Sequence, residues 1–204
     1  MSNEKITISV KLVICGNVGV GKTSLFTRIN NLEYNQNPQS TSNDYQRKTY
    51  QKGNITLNCE CWDTAGQEKY FSLNKIFFKD ARIAILVYDI TRRETYEKLK
   101  NFWIKEIQNN GKNLEVIGIA ANKIDLYANE QVNENEAREY ANSINASFKL
   151  CSALNNEGIN ELVDELIDKY LNLIKINYKI NNKDFKISNN EEIKKKKKML
   201  LIYK

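Results

Sequence analysis

The sequence predicts an α/β fold, a mostly parallel six-stranded sheet with one antiparallel edge strand and helices on both faces. Three observations carry this. Strand-like and helix-like blocks alternate along most of the chain with short links, the pattern of a sheet covered in three layers. Ile83 to Ile90 is a continuous apolar run, as a central parallel strand buried on both sides requires. Gly16-Asn17-Val18-Gly19-Val20-Gly21-Lys22-Thr23 has the spacing G-x-x-x-x-G-K-[ST] and joins an apolar run to an amphipathic one, so it reads as a phosphate-binding loop at a strand-to-helix turn.

The first strand is the β-branched run Ile8 to Cys15, and the helix after the loop shows its spacing in Leu25, Ile29 and Leu32. Glu33 to Asp44 is polar and without periodicity, and it holds the only proline, Pro38, so a surface loop with more than one conformation is expected there. Tyr45 to Lys52 and Ile55 to Trp62 flank Gly53-Asn54, a hairpin in which Ile55, Leu57, Cys59 and Cys61 alternate with polar residues. The second of these runs into Asp63-Thr64-Ala65-Gly66-Gln67-Glu68, where the apolar pattern stops. Thr95 to Asn109 is helical, with Leu99, Phe102, Trp103, Glu106 and Ile107 at 3/4 spacing. Val116 to Ala121 is a short buried strand, followed by a helix from Asn133 to Ser143 and a strand from Ser147 to Cys151. The last helix runs from Gly158 to about Ile174, lined by Leu162, Leu166, Tyr170 and Leu173. One folded domain is expected over residues 1–175, and a flexible, lysine-rich tail over 176–204, where capping signals and periodicity vanish.

The net charge is +6, but the run Lys194 to Lys198 accounts for much of the excess, so the body is near balance and a nucleic-acid partner loses its support. Four cysteines, Cys15, Cys59, Cys61 and Cys151, all fall in strands; a zinc site would need a second pair at suitable spacing beside Cys59 and Cys61, and with no histidine in the chain none is available, so they read as buried free thiols. No apolar run approaches the roughly 20 residues of a membrane span, and the N-terminus has neither a signal-peptide core nor a myristoylation glycine. The expected compartment is the cytosol.

In a parallel α/β sheet ligands sit at the carboxyl ends of strands, so the polar residues after each strand are the candidates for chemistry. The phosphate loop offers Asn17, Val18, Gly19, Val20, Gly21, Lys22, Thr23 and Ser24, with backbone N–H groups and a helix N-terminus facing an anion. Lys22 would reach the β- and γ-phosphates and Thr23 would offer its hydroxyl to Mg²⁺. Asp63, at the end of the third strand, can hold the same ion directly or through water. Gly66 has no side chain to keep its N–H from a γ-phosphate, and Gln67 has the donor and acceptor needed to orient an attacking water. After the fifth strand come Asn122, Lys123 and Asp125, and after the sixth Ser152, Ala153 and Leu154. Asp125 would accept from both N1–H and the exocyclic amine of guanine; adenine has neither donor there, so ATP would leave the carboxylate unpaired. Asn122 and the stem of Lys123 would brace the base, and the Ala153 N–H would meet the guanine carbonyl.

The stretches GNVGVGKT, WDTAGQE, NKID and CSAL, in this order and at these strand ends, resemble those of the Ras-superfamily small GTPases. Trp62 before DTAGQE, Tyr70, Phe77-Phe78-Lys79 and Ile85 to Thr91 are similar to the Rab family, and flanking details to its endosomal branch. The resemblance covers residues 8 to 175. It implies a P-loop G domain that cycles between GTP and GDP with Mg²⁺ bound, Thr41 closing on the metal and the γ-phosphate from a mobile loop. It further implies effector proteins, an exchange factor and a GTPase-activating protein as partners, a monomeric chain, and work in vesicle trafficking at the cytosolic face of endomembranes.

Three features depart from the pattern. Ser42-Asn43-Asp44-Tyr45 follows Thr41 where an Ile-Gly or similar pair is usual, and the stretch up to Trp62 reads one residue short, which bears on strand register. Val18 stands where glycine or a small polar residue is common; its branched side chain either crowds Gln67 or an incoming arginine, slowing hydrolysis, or leans away without effect. The chain ends Met199-Leu200-Leu201-Ile202-Tyr203-Lys204 without a prenylatable cysteine, so its lysine run reads as a solvated basic tail or, alternatively, as a weak and reversible contact with an anionic membrane. Three readings stay open: a GTP-hydrolysing switch, a guanine-nucleotide-bound scaffold that hydrolyses little, and a P-loop kinase or ATPase, which does not explain Asn122-Lys123-x-Asp125.

Overall fold

The computed structural model describes residues 5–34, 45–64 and 77–175. The chain divides into two compact units, 1–167 and 168–204. In the first, β1 (Ile6–Gly16) leads through the glycine-rich loop into α1 (Lys22–Ile29), and β2 (Tyr45–Lys52) and β3 (Ile55–Asp63) form the hairpin. After β4 (Ile83–Asp89) comes one continuous helical segment: α2 (Arg93–Lys98), a π-helical turn (Leu99–Trp103) and α3 (Ile104–Asn110). Then follow β5 (Val116–Asn122), a 3₁₀ turn (Ile124–Asn129), α4 (Glu134–Ser143) and β6 (Ser147–Cys151). A helix α5 starts at residue 159; the first unit ends within it at Ile167, and residues 168–175, also helical, belong to the second.

The sheet order is β2-β3-β1-β4-β5-β6, with β2 alone antiparallel, as the alternation of blocks predicts. The hairpin ladder runs without a break from Tyr45 opposite Trp62 to Lys52 opposite Ile55. No slip enters β2 or β3, and Ile55, Leu57, Cys59, Cys61 and Asp63 all face the interior. Thr41 and the Ser42-Asn43-Asp44 that follows it lie outside the described residues, as do Pro38, Tyr70 and the 176–204 tail.

Period-two alternation in the parallel strands divides the core into two layers. Val13, Cys15, Ala84, Leu86, Tyr88, Ile119 and Ala121 pack with Tyr96, Leu99, Trp103, Ile104 and Ile107 of the α2–α3 segment and Ala137 and Ala141 of α4. On the opposite face Gly118 has no Cβ, and that absence admits Leu162 and Leu166 of α5 against β5. Asn30, just past α1, meets Cys61 on that same face.

Three details differ from the sequence expectation. Leu32 lies beyond the end of α1, which stops at Ile29, and is 41% exposed. Leu173, placed on the apolar stripe of the last helix, is 37% exposed. In the α2–α3 segment the π turn holds one residue more than an α turn. The inward stripe therefore shifts: Trp103 and Ile104 are both buried, and Glu106 is only half-buried.

The four thiols are buried and unpaired in disulfides. Burial raises them, Cys15, Cys59 and Cys151 to about 12 and Cys61 likewise upward. Because the thiolate is the nucleophile, the native protein at neutral pH is expected to leave all four unlabelled by a disulfide-exchange reagent over minutes, and to release four equivalents in denaturant. Rapid stoichiometric labelling of any one in the native state would contradict this burial.

Candidate nucleotide site

Parallel register brings the strand ends level. Ile14 is opposite Asp63, Gly16 opposite Val87, Asp89 opposite Asn122, and Asn122 opposite Cys151. The phosphate loop, Asp63, the Asn122–Asp125 loop and the Ser152–Leu154 loop therefore share one edge of the sheet, as the strand-end rule requires.

Within the phosphate loop the backbone carbonyls are held by side chains. Lys22 Nζ donates to the Asn17 carbonyl at 2.8 Å, Arg92 Nη2 to that of Val18 at 3.0 Å, and Asn122 Nδ2 to that of Val20 at 2.8 Å. Trp103 Nε1, in the π turn, donates to Asn17 Oδ1 at 2.9 Å. Gly21 adopts φ +95 and ψ 26 at the start of α1, a left-handed conformation that favours glycine. A Cβ there would also overlap Asn122 Nδ2. Val20 is fully buried, whereas Val18 is 55% exposed with its side chain standing clear of the core.

Lys22 is buried, and desolvation pulls its pKa below the ordinary lysine value, with the Asp63 carboxylate opposing the shift. Thr23 Oγ1 donates to Asp63 Oδ2 at 2.6 Å. A hydroxyl and a buried carboxylate side by side, next to a lysine, form a hard oxygen set suited to Mg²⁺ beside phosphates. Ser24 is half-buried in the first turn of α1.

The two loops expected at the base are joined by Asn122. Its Nδ2 holds the phosphate loop, and its Oδ1 accepts the Ala153 N–H at 3.2 Å. Both functions of this buried amide are thus spent on loops, and the Ala153 N–H, expected on a guanine carbonyl, is donated to Asn122. Asp125 is exposed at the start of the 3₁₀ turn, and the buried Ser152 donates Oγ–H to its Oδ1 at 2.6 Å. The Asn155 N–H in turn donates to Ser152 Oγ at 3.0 Å, which fixes the hydroxyl. Lys123, in left-handed backbone at φ +71, reaches Asp89 Oδ2 at 2.6 Å. Leu154 is 42% exposed, and its carbonyl accepts from Arg28 Nη2 at 2.8 Å while Arg28 Nε donates to the Ala153 carbonyl at 2.8 Å. Thr41, Gly66 and Gln67 lie outside the described residues.

Four positioning residues were not legible as site residues: Arg28, Asp89, Arg92 and Trp103. Asp89 ends β4 and Arg92 follows it; the stretch Ile85 to Thr91 reads as a family resemblance rather than as chemistry, so only the strand-end rule points to these two side chains. Asp89 is buried; burial alone raises its pKa, but hydrogen bonds from Lys123 and Thr91 outweigh this and hold the carboxyl below the usual range. Trp103 reads as core, and its indole N–H carries no signal in sequence.

The fold and the phosphate loop at its sheet edge define a P-loop nucleotide-binding protein of the Ras-like type. The chain matches the Ras family over residues 11–172. It is 40% identical to Ras-related protein Rab-22A of Homo sapiens over 155 residues, 75% of this chain and 79% of the relative. It is 36% identical to Ras-related protein Rab-21 of Geodia cydonium over 160 residues, 78% of this chain and 69% of the relative. It is 36% identical to Ras-related protein Rab-5A of Dictyostelium discoideum over 165 residues, 79% of this chain and 81% of the relative. The chain belongs to the Ras family and, within it, to the Rab small GTPases of the endosomal branch; these are GTP-hydrolysing proteins involved in trafficking.

Proposed function

We propose that this chain is a guanine-nucleotide switch that regulates vesicle traffic by recruiting effectors in its GTP-bound form. The observation that carries the reading is Asp125, an exposed carboxylate oriented by a buried serine on the same sheet edge as the phosphate loop. A fixed carboxylate with one oxygen engaged and its face open suits the paired N–H donors of guanine and disfavours adenine. Asn122, Lys123, Ser152, Ala153 and Leu154 form the frame that holds it.

At the phosphate end the residues have separate tasks. The N–H groups from Val18 to Ser24 and the Lys22 ammonium bind the β- and γ-phosphates. Thr23 and Asp63, with Thr41, would hold Mg²⁺, which when bound offsets the charge on the β- and γ-oxygens. Gly66 gives its N–H to the γ-phosphate, and Gln67 orients the attacking water. Exchange of nucleotide and its hydrolysis are then set by an exchange factor and a GTPase-activating protein acting on a monomer.

Effector recruitment draws support from three aromatic rings. Tyr45 lies 4.8 Å from Trp62, and Trp62 lies 5.9 Å from Phe77, with Tyr45 39% exposed. Tyr45 follows the loop that carries Thr41, and Trp62 and Phe77 bracket the stretch that carries Gly66 and Gln67. A patch between two γ-phosphate-sensitive segments suits a partner that reads the nucleotide state. The folded part is taken as 1–175, and the basic 176–204 tail as a weak, reversible contact with anionic membrane at the cytosolic face. No helix among the described residues is long and apolar enough to cross a membrane.

A second reading, a nucleotide-bound scaffold with impaired hydrolysis, is favoured by the exposed branched side chain of Val18. Single-turnover GTP hydrolysis of the wild type and Val18→Gly separates the two. A rise of tenfold or more in the variant supports the scaffold reading, and equal rates remove it. The guanine reading is tested by Asp125→Asn: the preference for GDP over ADP is expected to fall by roughly 10²-fold or more. An unchanged preference would contradict it.

A further inference from the structure

Arg92 reaches the phosphate loop from outside. The residue follows β4 in extended backbone at φ −134 and ψ 95, which carries its side chain toward the loop. Asp89 Oδ2 accepts from Arg92 Nε at 3.1 Å, and Nη2 donates to the Val18 carbonyl at 3.0 Å. Asp89 is itself fixed: its Oδ1 accepts the Thr91 N–H at 2.9 Å and the Thr91 hydroxyl at 2.7 Å, and its Oδ2 also receives Lys123. The other carboxylate near the guanidinium is Glu94, 3.8 Å from Nη1 and largely exposed.

A trans peptide is planar, with its C=O and N–H pointing in opposite directions. A donor that holds the Val18 carbonyl outward therefore holds the Gly19 N–H toward the opposite side, away from Arg92. The same logic applies at Val20, where Asn122 fixes the Gly21 N–H. Gly19 adopts φ +74, and a Cβ on it would lie 3.4 Å from Arg92 Nη2, so the guanidinium also covers the outer surface of the loop at that residue.

We propose that Arg92 is a positioning residue for the phosphate loop, fixing the Gly19 N–H for the phosphate beyond the α-phosphate and so setting how slowly a nucleoside diphosphate is released. The inference rests on the guanine-nucleotide reading above. Through Asp89 the same carboxylate holds Lys123, so the base loop and the phosphate loop are tied at a second point, independent of Asn122. A protein that displaced Arg92 would loosen the grip on the diphosphate without touching base recognition.

The test uses the full chain with Arg92→Met, which keeps most of the apolar stem and loses the donors, and Arg92→Lys, which restores a charge and one donor. Dissociation of GDP is measured by stopped flow, affinity for GDP and GMP by competition, and folding by circular dichroism and thermal melts. Loss of a charged donor predicts about 10- to 100-fold faster GDP release in Arg92→Met. GMP affinity should stay within about twofold and Arg92→Lys should fall between, because only the β-phosphate end of the site is loosened. Equal losses for GDP and GMP, as a general loss of stability would give, or unchanged GDP release, would overturn the proposal. Wild-type protein that bound no GDP would overturn the guanine-nucleotide reading, and this inference with it.

Discussion

A single buried amide holds the site together. Asn122 spends its Nδ2 on the Val20 carbonyl, 102 residues earlier, and its Oδ1 on the Ala153 N–H, 31 residues later. Each bond is ordinary in strength, about 1 kcal/mol net, but each buried backbone group left without a partner would cost roughly 1–3 kcal/mol. No other side chain of this length offers a donor and an acceptor at once without charge; aspartate has no donor and leucine has neither. Gly21 is glycine for the same reason, since a Cβ there would occupy the space of Asn122 Nδ2. Two motifs far apart in sequence are thus each required by the other.

Around that amide two buried carboxylates gather ion pairs and hydrogen bonds. Asp89 collects Lys123, Arg92 and both donors of Thr91, and Asp63 receives Thr23. Charges this buried are costly unless paired; Thr91 and Arg92 pair Asp89 locally, and Lys123 adds a donor from the base loop. Arg28 adds a third tie, from α1 to the carbonyls of Ala153 and Leu154. Backbone N–H groups are then presented to an anion in a fixed array before it arrives, which is how a preorganised site avoids ordering its donors at the moment of binding.

Much of this was legible in the sequence. Strand bounds were legible to within a residue or two: Tyr45–Lys52, ended by the Gly53-Asn54 turn, and Ser147–Cys151 match residue for residue, and the alternating Ile55 to Trp62 and apolar Ile83 to Ile90 each differ by one residue at their ends. Phosphate-loop glycines were legible because left-handed backbone and close approach leave few alternatives. The π turn at Leu99–Trp103 was not, because its extra residue is invisible to a 3.6-residue pattern until the stripe is seen to shift, with Ile104 inside and Glu106 outside the core stripe. Arg28, Arg92 and Trp103 were not either. Their role lies in which carbonyl or side chain they meet, and an arginine or tryptophan on an amphipathic segment is indistinguishable there from surface or core. Asn122 is expected to brace the base, but its ties to the Val20 carbonyl and the Ala153 N–H carry no signal in sequence.

Cutting the Asn122 tie is expected to release the nucleotide while the sheet stays folded. Measuring GDP dissociation from Asn122→Ala, with circular dichroism on the same sample, tests this directly. Loss of two buried bonds, about 2–4 kcal/mol, corresponds to release faster by roughly 10²-fold, with the strand and helix signal unchanged. A dissociation rate within twofold of the wild type would contradict the claim that this residue joins the two halves of the site.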